Sequence, residues 1–292
     1  MPDTRLAAAA LGLRIPDATG MDFRGVRFVG ERCSVHGDFP HGPGLGLRRV
    51  TLHQLLMEAA EREGVEMRWG APVGSFDSIA TRWIIGADGS NSLVRRWAGL
   101  EDSFTNTRRY AYRQHFATAP WSPYVEVYWG NGCQVYITPT GAEEVCVALI
   151  SRDPHLRIES ALTDCFPSLA ARLRRAEPTS RERGSVTATR RLRNVMKGNV
   201  ALLGDASGSV DAITGEGIGL SFRQATALAD AIERNDLAFY NSRHPALSLR
   251  PRVMAGLMLS MDRGRTLREG ALGALSTVPA IFRKLLAVHV GA

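Results

Sequence analysis

Between Thr51 and Gly64 the apolar residues recur with the spacing of a helix. Leu52, Leu55, Leu56, Ala59 and Ala60 fall at i, i+3, i+4, i+7 and i+8. The spacing predicts a helix over 51–63, opened by a Thr51–Gln54 capping box and stopped by Gly64. Val65 to Trp69 alternate apolar and polar, which predicts a half-buried strand, and Thr81 to Ile85 predict another. That second strand runs into GADGSNSLVRR and a short helix over 92–98. The period then changes. YVEVYW (124–129), CQVYIT (133–138) and VCVALI (145–150) are strand-like, separated by Gly130-Asn131-Gly132 and Pro139-Thr140-Gly141, so an antiparallel meander is expected. Residues 158–176 return to a helical pattern broken at Pro167. From Gly184 a strand leads into LLGDASGSVDAITGEGIGLSF (202–222), with Thr214 placed to cap the helix that follows. After Asn235 the pattern is helical to the end, punctuated by Pro245, Pro251 and Pro279.

This order of βα pieces, strand meander, βα piece and helices predicts an α/β fold. The expected architecture is a doubly wound parallel nucleotide-binding sheet, an inserted antiparallel β-sheet domain and C-terminal helices. The expected divisions are 1–103 and 186–235 for the two parts of the nucleotide-binding domain, 104–185 for the inserted substrate domain and 236–292 for the helical segment.

Composition narrows the function. A chain of 292 residues with 45% hydrophobic content can bury a substantial core. Its formal charge is +7, yet no block of like charges and no nucleic-acid motif accompany it, so no nucleic-acid partner is expected. Cys33, Cys133, Cys146 and Cys165 lie far apart, without a C-x-x-C pair. The seven histidines, His53 among them, show no metal-ligand spacing, so no metal site is expected. Ser207 and Ser209 lack the G-x-S-x-G frame of a hydrolase. No run of 18 apolar residues and no convincing signal peptide occur, which predicts a cytoplasmic protein.

Two stretches share one design. In WIIGADGS an apolar strand ends at Gly86, then Asp88-Gly89; in VALLGDAS another ends at Gly204-Asp205. In open α/β sheets ligands bind beyond the carboxyl ends of the strands. A carboxylate there accepts hydrogen bonds from a sugar or ribityl diol. The helix start after Thr214 offers free N–H groups and a positive dipole end, suited to a group that becomes negative, such as the ring of a reduced flavin. Asp205 would then hold the polyol arm, and Gly215, Gly217, Ile218 and Gly219 would face the isoalloxazine ring.

GADGSNSLVRR and GNVALLGDASGSVDAITGEGIGLSFRQA together resemble the D-G and G-D motifs of the FAD-dependent monooxygenase and reductase superfamily with the para-hydroxybenzoate hydroxylase fold. Arg49, in RRVTLHQLL, resembles that family's FAD-contacting arginine. TGEGI (214–218) is most similar to the geranylgeranyl-reductase-like branch and its halogenase relatives, although the W-x-W-x-I-P halogenase signature is absent. The resemblance implies an FAD enzyme reduced by transiently bound NAD(P)H. It would oxygenate an apolar lipid-, isoprenoid- or polyketide-like substrate; the alternative is hydride transfer to a carbon–carbon double bond. It also implies that the inserted sheet roofs the flavin, with Tyr128, Trp129, Gln134 and Tyr136 as wall candidates. No catalytic acid or base is identifiable from the sequence.

The family's opening G-x-G-x-x-G strand–helix unit has no counterpart here, because GPGLG (42–46) does not follow a buried strand and open a helix. The resemblance therefore implies that a first βαβ unit of at least ~30 residues is missing. Weak FAD binding by the chain as written is expected, and a non-catalytic remnant is the further alternative. The segment 279–290 predicts an amphipathic helix carrying Arg283-Lys284. It is expected to pack on the domain, or in the sharper reading to touch an anionic bilayer.

Overall fold

The strands predicted at 124–129, 133–138 and 145–150 form as consecutive hairpins, and the chain on both sides of them adds to the same sheet. A computed structural model of the chain describes residues 1–16, 19–76 and 79–291. In chain order the elements are helix α1 (Pro2–Ala10), strands β1 (Met21–Phe23), β2 (Gly25–Val29), β3 (Ser34–Asp38) and β4 (Gly44–Gly46), helix α2 (Arg49–Arg62), strand β5 (Ile84–Gly86) and helix α3 (Leu93–Trp97). Strands β6 (Ser103–Ala117), β7 (Tyr124–Trp129), β8 (Cys133–Gly141) and β9 (Glu144–Ser151) follow, then helices α4 (Ile158–Cys165) and α5 (Pro167–Leu173). The rest comprises β10 (Glu177–Pro178), β11 (Arg183–Leu192), β12 (Met196–Lys197), β13 (Val200–Leu202), β14 (Gly208–Ser209) and helices α6 (Gly217–Glu233), α7 (Leu237–Asp262), α8 (Arg265–Thr277) and α9 (Pro279–His289).

The large sheet runs β14-β11-β6-β9-β8-β7-β2-β3, with β10 attached to β6. All its pairings are antiparallel except β2–β7. Strand periodicity sorts its two faces. Val135, Ile137, Val145, Val147 and Leu149, none more than 3% exposed, pack with Leu162, Phe166 and Leu169 of α4 and α5. The opposite face turns toward α6, α7 and α9, where Val127, Trp129, Ile213, Met258 and Phe282 form a second cluster. A smaller sheet, β12-β13-β5, carries the parallel β13–β5 pair. Its Ala201 and Leu202, both fully buried, pack against Leu228, Ala231 and Tyr240 of α6 and α7.

Several local expectations give way to context. Residues 65–69 form no strand: Val65 and Trp69 stay 54% and 66% exposed, and no partner edge is paired with them. The predicted 51–63 helix begins earlier, at Arg49, with Arg48 as N-cap and no side-chain cap. Thr51 therefore lies in the first turn, and Gln54 donates instead to Glu58 at 2.8 Å. The 81–85 strand forms only over Ile84–Gly86. Pro245 and Pro251 do not interrupt α7, which runs through both. Each proline removes one helical hydrogen bond, and the loss is outweighed by the burial of Tyr240, Pro251, Met254 and Met258 along one side of the helix. Thr214 does not cap α6; that position belongs to Glu216, again without a side-chain cap. α9 packs by Phe282 and Leu286, while Ile281 and Val288 remain about half exposed. Among the described residues no single helix is long and apolar enough to cross a membrane.

Candidate functional site

The register of β13 and β5 brings the two acidic motifs together. Val200, Ala201 and Leu202 lie opposite Ile84, Ile85 and Gly86, so Asp88 and Asp205 leave neighbouring strand tips. Arg95, 2% exposed on α3, ties the two loops by donating to the carbonyls of Ser90 (2.8 Å) and Ala206 (3.0 Å).

The two acids are used differently. Asp88 accepts from Ser92 Oγ at 2.5 Å and from the backbone N–H groups of Leu93 (2.6 Å) and Val94 (3.2 Å), so its carboxylate holds the start of α3. Partial burial works against its charge, but the bonds from Ser92 and the backbone prevail and keep its pKa below the usual carboxylate range. Gly89 makes the turn possible with φ +79. Asp205 has no hydrogen-bond donor on its carboxylate among the described residues. Crowding lifts its pKa above the ordinary value even though solvent reaches the group, and the charge of Arg49 pulls the other way. The turn behind Asp205 is braced by groups that the sequence does not advertise. Gly204 N–H donates to Gln224 Oε1 (2.8 Å) and Ser207 Oγ donates to the Gly204 carbonyl (2.8 Å). His244 Nε2 stands 2.9 Å from Ser207 Oγ and 3.0 Å from Gln224 Nε2. Burial drives His244 down to about 4, so the ring is neutral there.

The third component is the start of α6. Gly215 holds φ +68 before the uncapped Glu216, leaving the first N–H groups of α6 without side-chain acceptors. The loop before it is fixed from the large sheet. Buried Arg109 pairs with Asp211 (3.4 Å) and Asp262 (3.7 Å), Gln134 bridges Arg109 and Asp262, and Tyr136 OH donates to the Ile213 carbonyl at 2.7 Å. Below the turn, Glu216 Oε1 lies 3.4 Å from Arg250 and its Oε2 lies 3.3 Å from His289 Nδ1, while Arg250 and Arg223 both reach Asp3 at 2.8 Å.

A cavity of about 450 Å³ opens between the inner face of the large sheet, the start of α6 and helices α1, α7 and α9. Arg49, Gly215 and Ile218 line it. Of the four wall candidates, only Tyr136 does. Tyr128 points to the opposite face, beside Phe166, as alternation along β7 requires once Val127 faces the cavity. Trp129 is buried against Phe28, and Gln134 is buried in the Arg109 network. Gly217 and Gly219 lie outside the cavity lining. A Cβ on Gly219 would collide with Thr4 of α1, whereas one on Gly217 would meet nothing within 4 Å. Gly219→Val is therefore expected to cost about 2 kcal/mol by overpacking. Gly217→Ala should leave the melting temperature unchanged while weakening any ligand that abuts the turn; thermal denaturation and ligand titration of both variants check this.

The chain has the fold of the FAD-dependent monooxygenases. It is similar to the flavin-dependent brominase Bmp2, with TM-score 0.79 and 14% identity, covering 100% of this chain and 83% of that one. It is also similar to Klebsiella pneumoniae HpxO, solved with FAD and uric acid (TM-score 0.72, 18% identity, 99% and 86% covered). A third likeness is to Pseudomonas aeruginosa PqsL in complex with 2-aminobenzoylacetate (TM-score 0.65, 20% identity, 97% and 86% covered). No protein-family model and no curated protein sequence matches the chain.

Proposed function

We propose that the chain is an FAD-dependent oxidoreductase, a monooxygenase that uses NAD(P)H and oxygen on an apolar small molecule. The observation that carries this is a set of idle polar groups beside the cavity, whose lining includes Arg49 and Gly215 but not Asp205, a carboxylate that feels the Arg49 charge. They are the unpartnered Asp205 carboxylate, the Arg49 guanidinium and the uncapped N-terminus of α6 behind Gly215. These groups fit a flavin: an acceptor for ribityl hydroxyls, a cation and a set of N–H donors for an anionic ring edge. The likeness in fold to the flavin-dependent brominase Bmp2 and to HpxO, solved with FAD, supports the reading.

When bound, reduced flavin supplies the electrons for oxygen activation. The protein's own contribution is positional. Asp205 accepts the polyol, and each such charge-assisted bond is worth about 1.5–3 kcal/mol. The α6 dipole stabilises negative charge at its N-terminus by about 0.3–1 kcal/mol, and ~2 in partly buried geometry. Phe23, Phe28, Val127 and Met258 line the reaction space and keep water from it. The likeness in fold to PqsL, described as a probable FAD-dependent monooxygenase, supports oxygen transfer over hydride transfer.

Fluorescence titration with FAD tests the reading. Asp205→Ala is expected to weaken FAD by about 2 kcal/mol, roughly 30-fold, with an unchanged circular dichroism spectrum. Equal FAD affinity in the two proteins, or no FAD binding by either, would overturn it. Oxygen uptake coupled to NAD(P)H oxidation by the FAD-loaded protein separates monooxygenase from reductase.

A further inference from the structure

The cavity-facing side of the large sheet is apolar at one end and cationic at the other. The pairings of β2, β7, β8, β9 and β6 place Phe28, Val127, Tyr136, Ala148 and Arg113 in one transverse row. With neighbouring strands ~4.8 Å apart, the row is about 19 Å long. Phe28, Val127, Tyr136 and Arg113 all line the cavity. The next residue in the row, across β6–β11, is Arg183, directly opposite Arg113. Like charges directly opposed across two strands repel unless an anion lies between them.

No acid fills that role among the described residues. Arg113 is half-buried and Arg183 exposed, and neither guanidinium makes a hydrogen bond or an ion pair among the described residues. Glu144, in the neighbouring strand, is taken up by Arg48, with Thr140 and Thr179 adding bonds at 2.8 Å, and is held down at about 2 by that pairing. Burial lowers the pKa of His115, next along this face of β6, and pushes the Cys146 thiol up to about 11. No aspartate or glutamate lines the cavity, while Arg5, Arg49 and Arg113 do; Arg5 is already paired with Asp22 at 3.1 Å and Arg49 faces Asp205.

We propose that Arg113, with Arg183 opposite it, is the anion-holding end of the substrate site, so that the substrate is an amphipathic carboxylate with its apolar body along Tyr136, Val127 and Phe28. The inference rests on the cavity being the substrate site of the proposed flavin enzyme, and it names the substrate class. The planar guanidinium presents two parallel N–H groups to a carboxylate. Ala148, the small residue beside Arg113 in the row, leaves room for the group. A volume of about 450 Å³ falls in the range of sites for small organic ligands.

Calorimetric titration of the full chain with decanoate, 2-naphthoate and decan-1-ol tests it, using wild type, Arg113→Gln and Arg183→Gln, with FAD affinity measured on the same samples. At least one carboxylate is expected to bind ten-fold or more tightly than the alcohol. The two acids separate an aliphatic body from an aromatic one. Arg113→Gln should erase the preference, leave decan-1-ol affinity unchanged and leave FAD affinity within two-fold; Arg183→Gln should reduce the preference. Equal binding of acid and alcohol by wild type, or a preference that survives both substitutions, overturns the proposal, as does failure of all three probes to bind. If Arg113→Gln weakens FAD and spares the carboxylate, the arginines belong to the cofactor and the proposal falls. Should Arg113→Gln fail to fold, Arg113→Lys replaces it, and a preference as strong as in wild type counts against the bidentate site. Carboxylate selectivity without FAD binding would sink the flavin reading and leave this anion site standing.

Discussion

Arg109→Ala is expected to destabilise the protein by about 3–5 kcal/mol, the cost of removing one partner from a buried ion pair. Arg109 is 1% exposed, and it faces Asp211, with a fully buried side chain, and Asp262, at 4%. Gln134, itself fully buried, bridges Arg109 and Asp262, and its Oε1 would lose its donor too. A deficit of that size is comparable with the whole stability of many domains. Burial already lifts Asp211 above the ordinary carboxylate range, with Arg109 the main force holding it down. Without Arg109 the folded-state pKa of Asp211 rises further, so folding takes up a proton and the deficit shrinks as pH falls. Urea denaturation at several pH values measures this. The triple variant Arg109→Ala/Asp211→Asn/Asp262→Asn should recover part of the loss, because no charge is then left alone. A loss under 1 kcal/mol in the single variant would mean that the network does not hold the loop before Gly215.

The middle of the chain was legible because its strands alternate around strong turns. Tyr124–Trp129 forms as read, and the next two strands only lengthen, to Cys133–Gly141 and Glu144–Ser151. The break at Pro167 also separates α4 from α5 as expected. The long strand β6 escaped notice because its second part, RRYAYRQHFA, puts polar side chains on both faces, Tyr110, Tyr112 and Gln114 on one and Arg109, Arg113 and His115 on the other, and shows no apolar alternation. Its cavity-side residues, Arg113 and His115, escaped with it. The short strands β1 to β4 are three to five residues long and draw their order from pairing rather than propensity. Residues 65–69 show the reverse: an alternating pattern without a partner edge stays irregular.

At the site, the positions of Asp88 and Asp205 at strand tips followed from strand, glycine and acid in sequence, whereas the pairing of those two strands did not. What each acid does could not be read there. Ser92 stands four residues after Asp88 and turns that carboxylate into a helix cap, whereas Ser207 and Ser209, two and four residues after Asp205, donate instead to the carbonyls of Gly204 and Ala188. The wall candidates met the same limit. Adjacent residues of one strand face opposite ways, so Tyr128 and Trp129 could never share a cavity, and burial in competing networks then removed Trp129 and Gln134. Arg95, Gln224, His244 and Arg109 brace the site from elements up to 111 residues away in sequence, beyond the reach of any local pattern.

Glu216→Gln is expected to shift the pH profile of stability by about 3 kcal/mol relative to wild type. Burial raises Glu216 to about 7, against the pull of Arg250 and Arg223, from an ordinary value of 4.5. Between those values the folded protein holds a proton that the unfolded chain has released, so this group alone makes stability fall as pH rises from 4.5 to 7. Burial lowers His289 from 6.5 to about 4. Between those values the unfolded chain holds a proton that the folded protein lacks, so this group alone makes stability rise with pH. From 4.5 to 6.5 the two slopes cancel: folding moves one proton from the histidine to the carboxyl without changing the number bound. At 1.36 kcal/mol per pKa unit, each limb is worth about 3 kcal/mol. Glu216→Gln removes the falling limb, so its stability relative to wild type should climb by about 3 kcal/mol from pH 4.5 to 7 and then level off. His289→Asn should show the mirror image, declining relative to wild type from pH 4 to 6.5. Because Glu216 and His289 meet beneath the start of α6 and His289 lines the cavity, the same pair sets the charge under the Gly215 turn. Denaturant midpoints of the three proteins between pH 4 and 8 decide the matter. Parallel profiles for wild type and Glu216→Gln would show that no proton resides on Glu216 in the folded protein.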